Sequence, residues 1–167
     1  MVVAGRRRHG LEQRVPDPRT YPERPYLAVS AAIFRDGKVL LAKRARPPVT
    51  DVYTLPGGVV EVGETLTEAV VREVLEETAM QVEPIALAGY RNVVIRDGDG
   101  RVQRHFVVLP FASRWIAGEF TPSHELADGR WFDPREVAGL RTTEGLADII
   151  AAAFALAHRP TAAASVP

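Results

Sequence analysis

The sequence predicts an α/β fold in which a mixed sheet is sandwiched between helices. Three observations carry that expectation. Strand-like apolar runs fill residues 26–34 (YLAVSAAIF) and 102–115. A strongly helical segment, residues 66–78, separates the early strands from the later ones, and a second helical segment ends near Ala157. Strands, helix, strands, terminal helix is an order that lets one sheet bury both faces.

Length and composition bound the answer further. At 167 residues, one domain with a substantial core is expected. The 21 basic and 21 acidic residues balance to zero, which supports neither a nucleic-acid polymer nor a membrane surface as partner. There is no cysteine, so disulfides, a thiol nucleophile and a Cys-based zinc site are excluded. No apolar run approaches the ~20 residues of a spanning helix. Arg6, Arg7 and Arg8 lack a following apolar stretch, so they do not read as a secretory signal. A cytoplasmic protein is expected, and a homodimer is left open.

Residues 1–24 are rich in Arg and Pro and poor in apolar side chains, which reads as a flexible N-terminal arm. The domain is assigned to residues 25–158, and residues 159–167, Ala- and Pro-rich, to a flexible tail. Residues 26–34 form a buried strand, Asp36-Gly37 a turn, and residues 38–42 the return strand of a hairpin. Lys43, Arg44 and Arg46 follow at its open end, before Pro47-Pro48 starts a loop. Thr54-Leu55-Pro56 leads into a Gly57-Gly58 turn.

Thr65 followed by Glu68 is a capping box for the helix over residues 66–78, which contains neither Gly nor Pro. At about 100° per residue, Glu73 falls between Glu76 and Glu77 on the helix wheel. Val70, Val71, Val74 and Leu75 fill the adjoining arc and are expected to face the core. Three like charges crowd the end where the macrodipole is already negative, and each pair costs a few tenths of a kcal/mol. A solvated acidic face is the bland reading; a hard divalent cation supplying the missing positive charge is the functional one.

Residues 85–95 and 102–115 read as two long strands joined by Asp97-Gly98-Asp99-Gly100. Residues 118–126 form a polar loop, and Trp131-Phe132 a short strand. Asp133-Pro134 starts a short helix to about Ala138. Thr142 or Thr143 caps the last helix, whose apolar side is Leu146, Ile149, Ile150 and Phe154.

The functional reading is decided by the stretch from Gly58. It runs Gly58, five residues, Glu64, seven residues, then Arg72-Glu73-Val74-x-Glu76-Glu77-x-Ala79-Met80. This resembles the Nudix box, G-x5-E-x7-R-E-U-x-E-E-x-G-U with U aliphatic, at every fixed position but one. The departure is Ala79, where the family usually has Gly; an Ala in a left-handed helix-ending turn costs about 1 kcal/mol. The resemblance covers residues 25–157 and implies the Nudix α/β/α sandwich. It also implies hydrolysis of a nucleoside diphosphate linked to a further group, with Mg²⁺ or Mn²⁺ at the box.

Under that resemblance Glu73 and Glu77 are the first metal ligands, with Glu76 next and the carbonyl of Gly58 as a further donor. Gly57 and Gly58 are placed along the substrate. Glu64 is either a ligand or structural. Arg72 pairs with a box carboxylate and orients it. Arg44 is a candidate grip on phosphate. Glu125, in the polar loop, is placed where some family members carry an extra carboxylate serving as ligand or base. His105 reads as a sheet residue, and His124 as a weak base candidate. The runs YTLPGG and RHFVVLPF look like bacterial members described as ADP-ribose pyrophosphatases, which makes ADP-ribose or another ADP-sugar the first expected small-molecule substrate. The proline that many of those carry about fifteen residues past the box is replaced by residues 94–97, VIRD. An enzyme acting on oxidised dGTP-type triphosphates, and a nucleotide-sensing domain without turnover, are the alternatives.

Overall fold

The computed structural model describes Asp17 and residues 19–45 and 50–159. Arg6–Arg8, Arg46, Pro47-Pro48, and all but Arg159 of the C-terminal tail lie outside the described residues. Seven strands and two α-helices are present among the described residues. β1 (Tyr26–Arg35) turns at Asp36 and Gly37, both with positive φ, into β2 (Lys38–Arg44). The two strands pair only beside that turn, at Phe34–Val39 and Arg35–Lys38, and then splay apart.

The gap is filled by the chain that follows. β3 (Tyr53–Thr54) pairs with β2. The next residues cross to β1, where Ala31 N–H donates to the Pro56 carbonyl, Val29 N–H to Gly58, and Val60 N–H to Leu27. The Gly57-Gly58 turn is thereby stitched into the sheet as part of its ladder, so its position is as rigid as that of β1.

α1 (Leu66–Thr78) has the expected bounds and both halves of its capping box. Its rotation differs from the expected one. Ala69, Val70 and Val74 are buried, but Val71 and Leu75 are 39% and 49% exposed. The inward stripe continues through Glu77 and Thr78, both buried, so the helix turns Glu77 toward the protein and two aliphatic residues toward water.

The single strand expected over residues 85–95 is two strands, β4 (Gln81–Leu87) and β5 (Arg91–Arg96). Both run antiparallel to the long β6 (Val102–Ala117), β5 along its first half and β4 along its second. Between them, Ala88–Tyr90 oppose only Leu109 and Pro110. Pro110 accepts from Ala88 N–H at 2.8 Å but has no N–H to return, so the ladder breaks there. β7 (Leu126–Phe132) is longer than the expected dipeptide, because its polar first half pairs along the outer edge of β2. A 3-10 helix, Pro134–Gly139, is capped by Asp133. α2 (Leu146–Ala157) is preceded by Gly145 at φ 64°, and neither Thr142 nor Thr143 caps it through a side chain.

β1 and β6 are parallel and the other pairs antiparallel, a mixed sheet. Val29, Ala31, Ile33 and Leu40 meet Val70, Val74 and Met80 on the α1 face. Ala32, Phe34, Val39 and Leu41 meet Val137, Leu146, Ile150 and Ala153 on the other. The expected α/β/α sandwich is what forms. No helix among the described residues is long and apolar enough to cross a membrane.

Candidate active site

The site is built where α1 faces the stitched Gly57-Gly58 turn. A β-carbon on Gly57, which has φ 150°, would lie 2.2 Å from the Val29 carbonyl oxygen. The turn therefore presses directly on β1, and only glycine fits. Its N–H donates to Glu77 Oε2 at 2.8 Å. Glu77 is 8% exposed, and burial pushes its carboxyl up from 4.5 to about 7, against the pull of the Gly57 bond; Glu125 and Glu73 push the same way, and Arg44 opposes them. Burial also raises Glu73, partly offset by Arg72. A β-carbon on Gly58 would fall 2.3 Å from Glu73 Oε1, so the Glu73 carboxylate rests on the Gly58 backbone. The Gly58 carbonyl already accepts from Val29 N–H at 2.8 Å.

Arg72 binds the loop before the helix to the helix itself. It donates to Glu64 through Nε at 3.0 Å and Nη2 at 2.6 Å, to Glu73 through Nη1 at 2.8 Å, and to the Val59 carbonyl at 3.1 Å. Glu64 Oε1 also accepts from Glu61 N–H at 2.6 Å. Both Glu64 oxygens are thus engaged in holding the loop, the structural side of its two readings. Glu76 is more open, 61% exposed, with Arg72 Nη1 3.6 Å away.

A cleft of about 350 Å³ is lined by Gly58, Val59, Glu61, Arg72, Glu73, Glu76 and Glu77 on one side. Arg19, Ser123, His124 and Glu125 line the other. Glu125 reaches it from the loop before β7; Ser123 Oγ accepts from the N–H groups of Glu125 and Leu126 and fixes that turn. His124 Nε2 is 3.5 Å from Glu125 Oε1. Arg44 does not line the cleft. Its main-chain N–H donates to Val52 and its carbonyl accepts from Asp51, while its charge still bears on Glu77. His105 sits in β6 opposite Val94, away from the cleft. Arg19 and Val59 are lining residues to which the sequence assigned no role.

Among the described residues no three acidic or histidine side chains already converge as a ligand set. Glu73 is turned onto Arg72 and Glu77 onto Gly57 N–H. The donors are nevertheless all carboxylate and carbonyl oxygens, and the buried Glu77 carboxylate has no ion-pair partner among the described residues. That chemistry fits a hard divalent cation.

A family model described as NUDIX domain matches residues 24–153. An ADP-ribose pyrophosphatase of Methanocaldococcus jannaschii is 38% identical over 109 residues, 65% of this chain and 62% of that protein. An NAD-capped RNA hydrolase NudC of Vibrio atlanticus is 33% identical over 117 residues, 70% of this chain and 38% of that protein. The chain therefore spans less than two thirds of the length of either curated relative. Among solved structures, a MutT NUDIX hydrolase of Burkholderia pseudomallei aligns with TM-score 0.64 at 28% identity, over 77% of this chain and 98% of that one.

Proposed function

Because the chain belongs to the NUDIX domain family, whose members use divalent metal ions, we propose that it is a Mg²⁺-dependent (or Mn²⁺-dependent) hydrolase of the diphosphate bond in a nucleoside diphosphate derivative, ADP-ribose or another ADP-sugar first. The observation that carries this reading is the burial of Glu77 and the partial burial of Glu73 against the Gly57-Gly58 turn, with Glu125 lining the same cleft. A helix built only for stability has no use for two such carboxylates.

Glu73, Glu77 and the exposed Glu76 would hold the metal, with the Gly58 carbonyl beside them. A divalent cation bound there neutralises phosphate charge and acidifies a water molecule. Arg72 holds Glu73, and Gly57 N–H holds Glu77, beside the Gly57-Gly58 turn. Glu125, 45% exposed and opposite the box, is placed to accept a proton from the attacking water. Water adds to one phosphorus, the bridging oxygen leaves with the other, and ADP-ribose gives AMP and ribose 5-phosphate. ADP-ribose and NAD share an ADP-ribosyl unit, so the names of the two relatives favour the same adenosine diphosphate ester. The likeness to a MutT structure keeps nucleoside triphosphates as a second reading.

Phosphatase-coupled phosphate release across ADP-sugars, NAD and nucleoside triphosphates tests the choice. ADP-ribose turned over first supports the leading reading, a dNTP first the second, and no turnover with or without Mg²⁺ a sensor domain.

A further inference from the structure

The wall of the cleft opposite α1 includes an arginine whose presence there hydrophobic burial does not explain. Arg19 belongs to a segment nearly without apolar side chains, and polar contacts hold it instead. Asp17 Oδ1 accepts from the main-chain N–H of Arg19 at 3.0 Å and from its Nε at 2.9 Å. Arg104 Nη1, on β6, donates to Asp17 Oδ2 at 2.9 Å. Thr20 N–H closes the turn on the Asp17 carbonyl, and Tyr21 N–H donates to the Gln103 carbonyl, each at 2.9 Å. The Tyr21 hydroxyl donates to Asp97 at 2.9 Å, and Arg101 lies over its ring at 4.6 Å. The segment is clasped to the β5–β6 hairpin at both ends of that turn.

The clasp uses Arg19 sparingly. Only Nε and the main chain are bonded; the terminal nitrogens make no hydrogen bond among the described residues. Those two nitrogens are the fork with which an arginine grips phosphate. The side chain is 45% exposed, and the negative charge of Glu125 bears on it. Arg72, the other arginine lining the cleft, is fully engaged by Glu64, Glu73 and Val59. A diphosphate has two phosphates. One can be met at the α1 carboxylates through the cation, and the other needs a positive group on the far wall.

We infer that Arg19 is a phosphate-gripping residue that holds the diphosphate from the wall opposite α1, and that Asp17 is the positioning residue that aims it. The inference rests on the proposed diphosphatase reading for the identity of the ligand. Charge-assisted, two-pronged bonds to phosphate of this kind correspond to roughly ten- to hundredfold in affinity.

The test is calorimetric binding of ADP to the full chain in Mg²⁺ buffer, for wild type, R19A, R19K and D17N, with unfolding temperatures recorded alongside. R19A should weaken ADP binding roughly ten- to hundredfold, and R19K should recover only part, since it restores charge without the fork. D17N should weaken binding less than R19A. In hydrolysis, R19A should raise KM far more than it lowers kcat. ADP affinity unchanged in R19A, with only a lower unfolding temperature, would overturn the inference and leave Arg19 a structural anchor. Absence of ADP binding by wild type would overturn it too. The coupled hydrolysis panel judges the diphosphatase reading separately: Arg19-dependent ADP binding without turnover would sink that reading and leave the grip standing.

Discussion

The carboxylate of Glu73 occupies the space where Gly58 has no side chain: a β-carbon there would lie 2.3 to 2.4 Å from its three carboxyl atoms. The obstructed group is the end of a flexible side chain, so G58A can be accommodated by swinging Glu73 away. Its fold should survive, with an unfolding temperature within a few degrees of wild type, while Mg²⁺ or Mn²⁺ affinity falls at least about tenfold. G57A meets backbone, the Val29 carbonyl at 2.2 Å and Ser30 Cα at 2.6 Å. It should cost roughly 2–4 kcal/mol in chemical denaturation, because β1 itself has to move. If the two variants proved equally stable, the stitched turn would not be the rigid floor of the site.

Glu77 gives the metal-free protein a pH dependence of definite sign. Its carboxyl titrates near 4.5 when exposed and at about 7 in the fold, so the folded chain holds the extra proton between those values. The corresponding stabilisation is complete below about 4.5 and is lost as pH rises through about 7. It amounts to roughly 3 kcal/mol, at 1.36 kcal/mol per tenfold in proton affinity. The raised Glu73 adds in the same direction. In chelator, E77Q should flatten this slope and be the more stable protein at pH 8, and it should lose orders of magnitude in turnover. Metal uptake should release protons between about pH 5 and 7, read in two buffers of different ionisation enthalpy. Wild type gaining stability steadily across that window, with E77Q matching it, would contradict a buried, proton-holding Glu77.

Arg72 and Glu64 tie the loop to α1, which carries the proposed metal ligands. R72A frees Glu73 and leaves both Glu64 oxygens short of partners, so turnover should fall roughly ten- to hundredfold. R72K cannot reproduce the three-way fork and should rescue little. E64Q leaves Glu73 its own bond to Arg72; it should lower the unfolding temperature more than it changes metal affinity. The opposite order, metal affinity lost before stability, would make Glu64 a ligand.

How much of this was legible follows from what each feature depends on. α1 was readable to the residue because its cap, composition and spacing are all local. Its rotation was not, since Val71 and Leu75 are as apolar as Val70 and Val74 and only the sheet decides which pair is covered. The break at Ala88–Tyr90 depends on Pro110, about twenty residues away and in a different strand. β7 was hidden because Leu126–Arg130 (LADGR) has no strand-like composition; the unpaired edge of β2 makes it a strand. The box carboxylates came from the resemblance to the Nudix box, but the burial of Glu77 did not. Arg19 was missed because a segment without apolar residues reads as an arm. The local signal was Asp17 two residues before it, the start of a side-chain-capped turn.

The helix end carries the last expectation. Ala79 sits at φ 60°, ψ 17°, with its N–H donating to the Leu75 carbonyl. An L residue with a β-carbon pays about 1–2 kcal/mol for that conformation. Glycine avoids the strain but loses about 0.4–1 kcal/mol by loosening the unfolded chain. Ala79 is exposed, so its methyl contributes little packing to set against the difference. A79G should therefore stabilise the protein by about 0.5–1 kcal/mol in urea denaturation, without changing the denaturant slope. It should leave KM and kcat alone, because the turn begins after Glu77 has already been fixed by Gly57. A destabilised A79G would mean that the strain is relieved by contacts of the methyl group, and the turn would then be tuned to alanine.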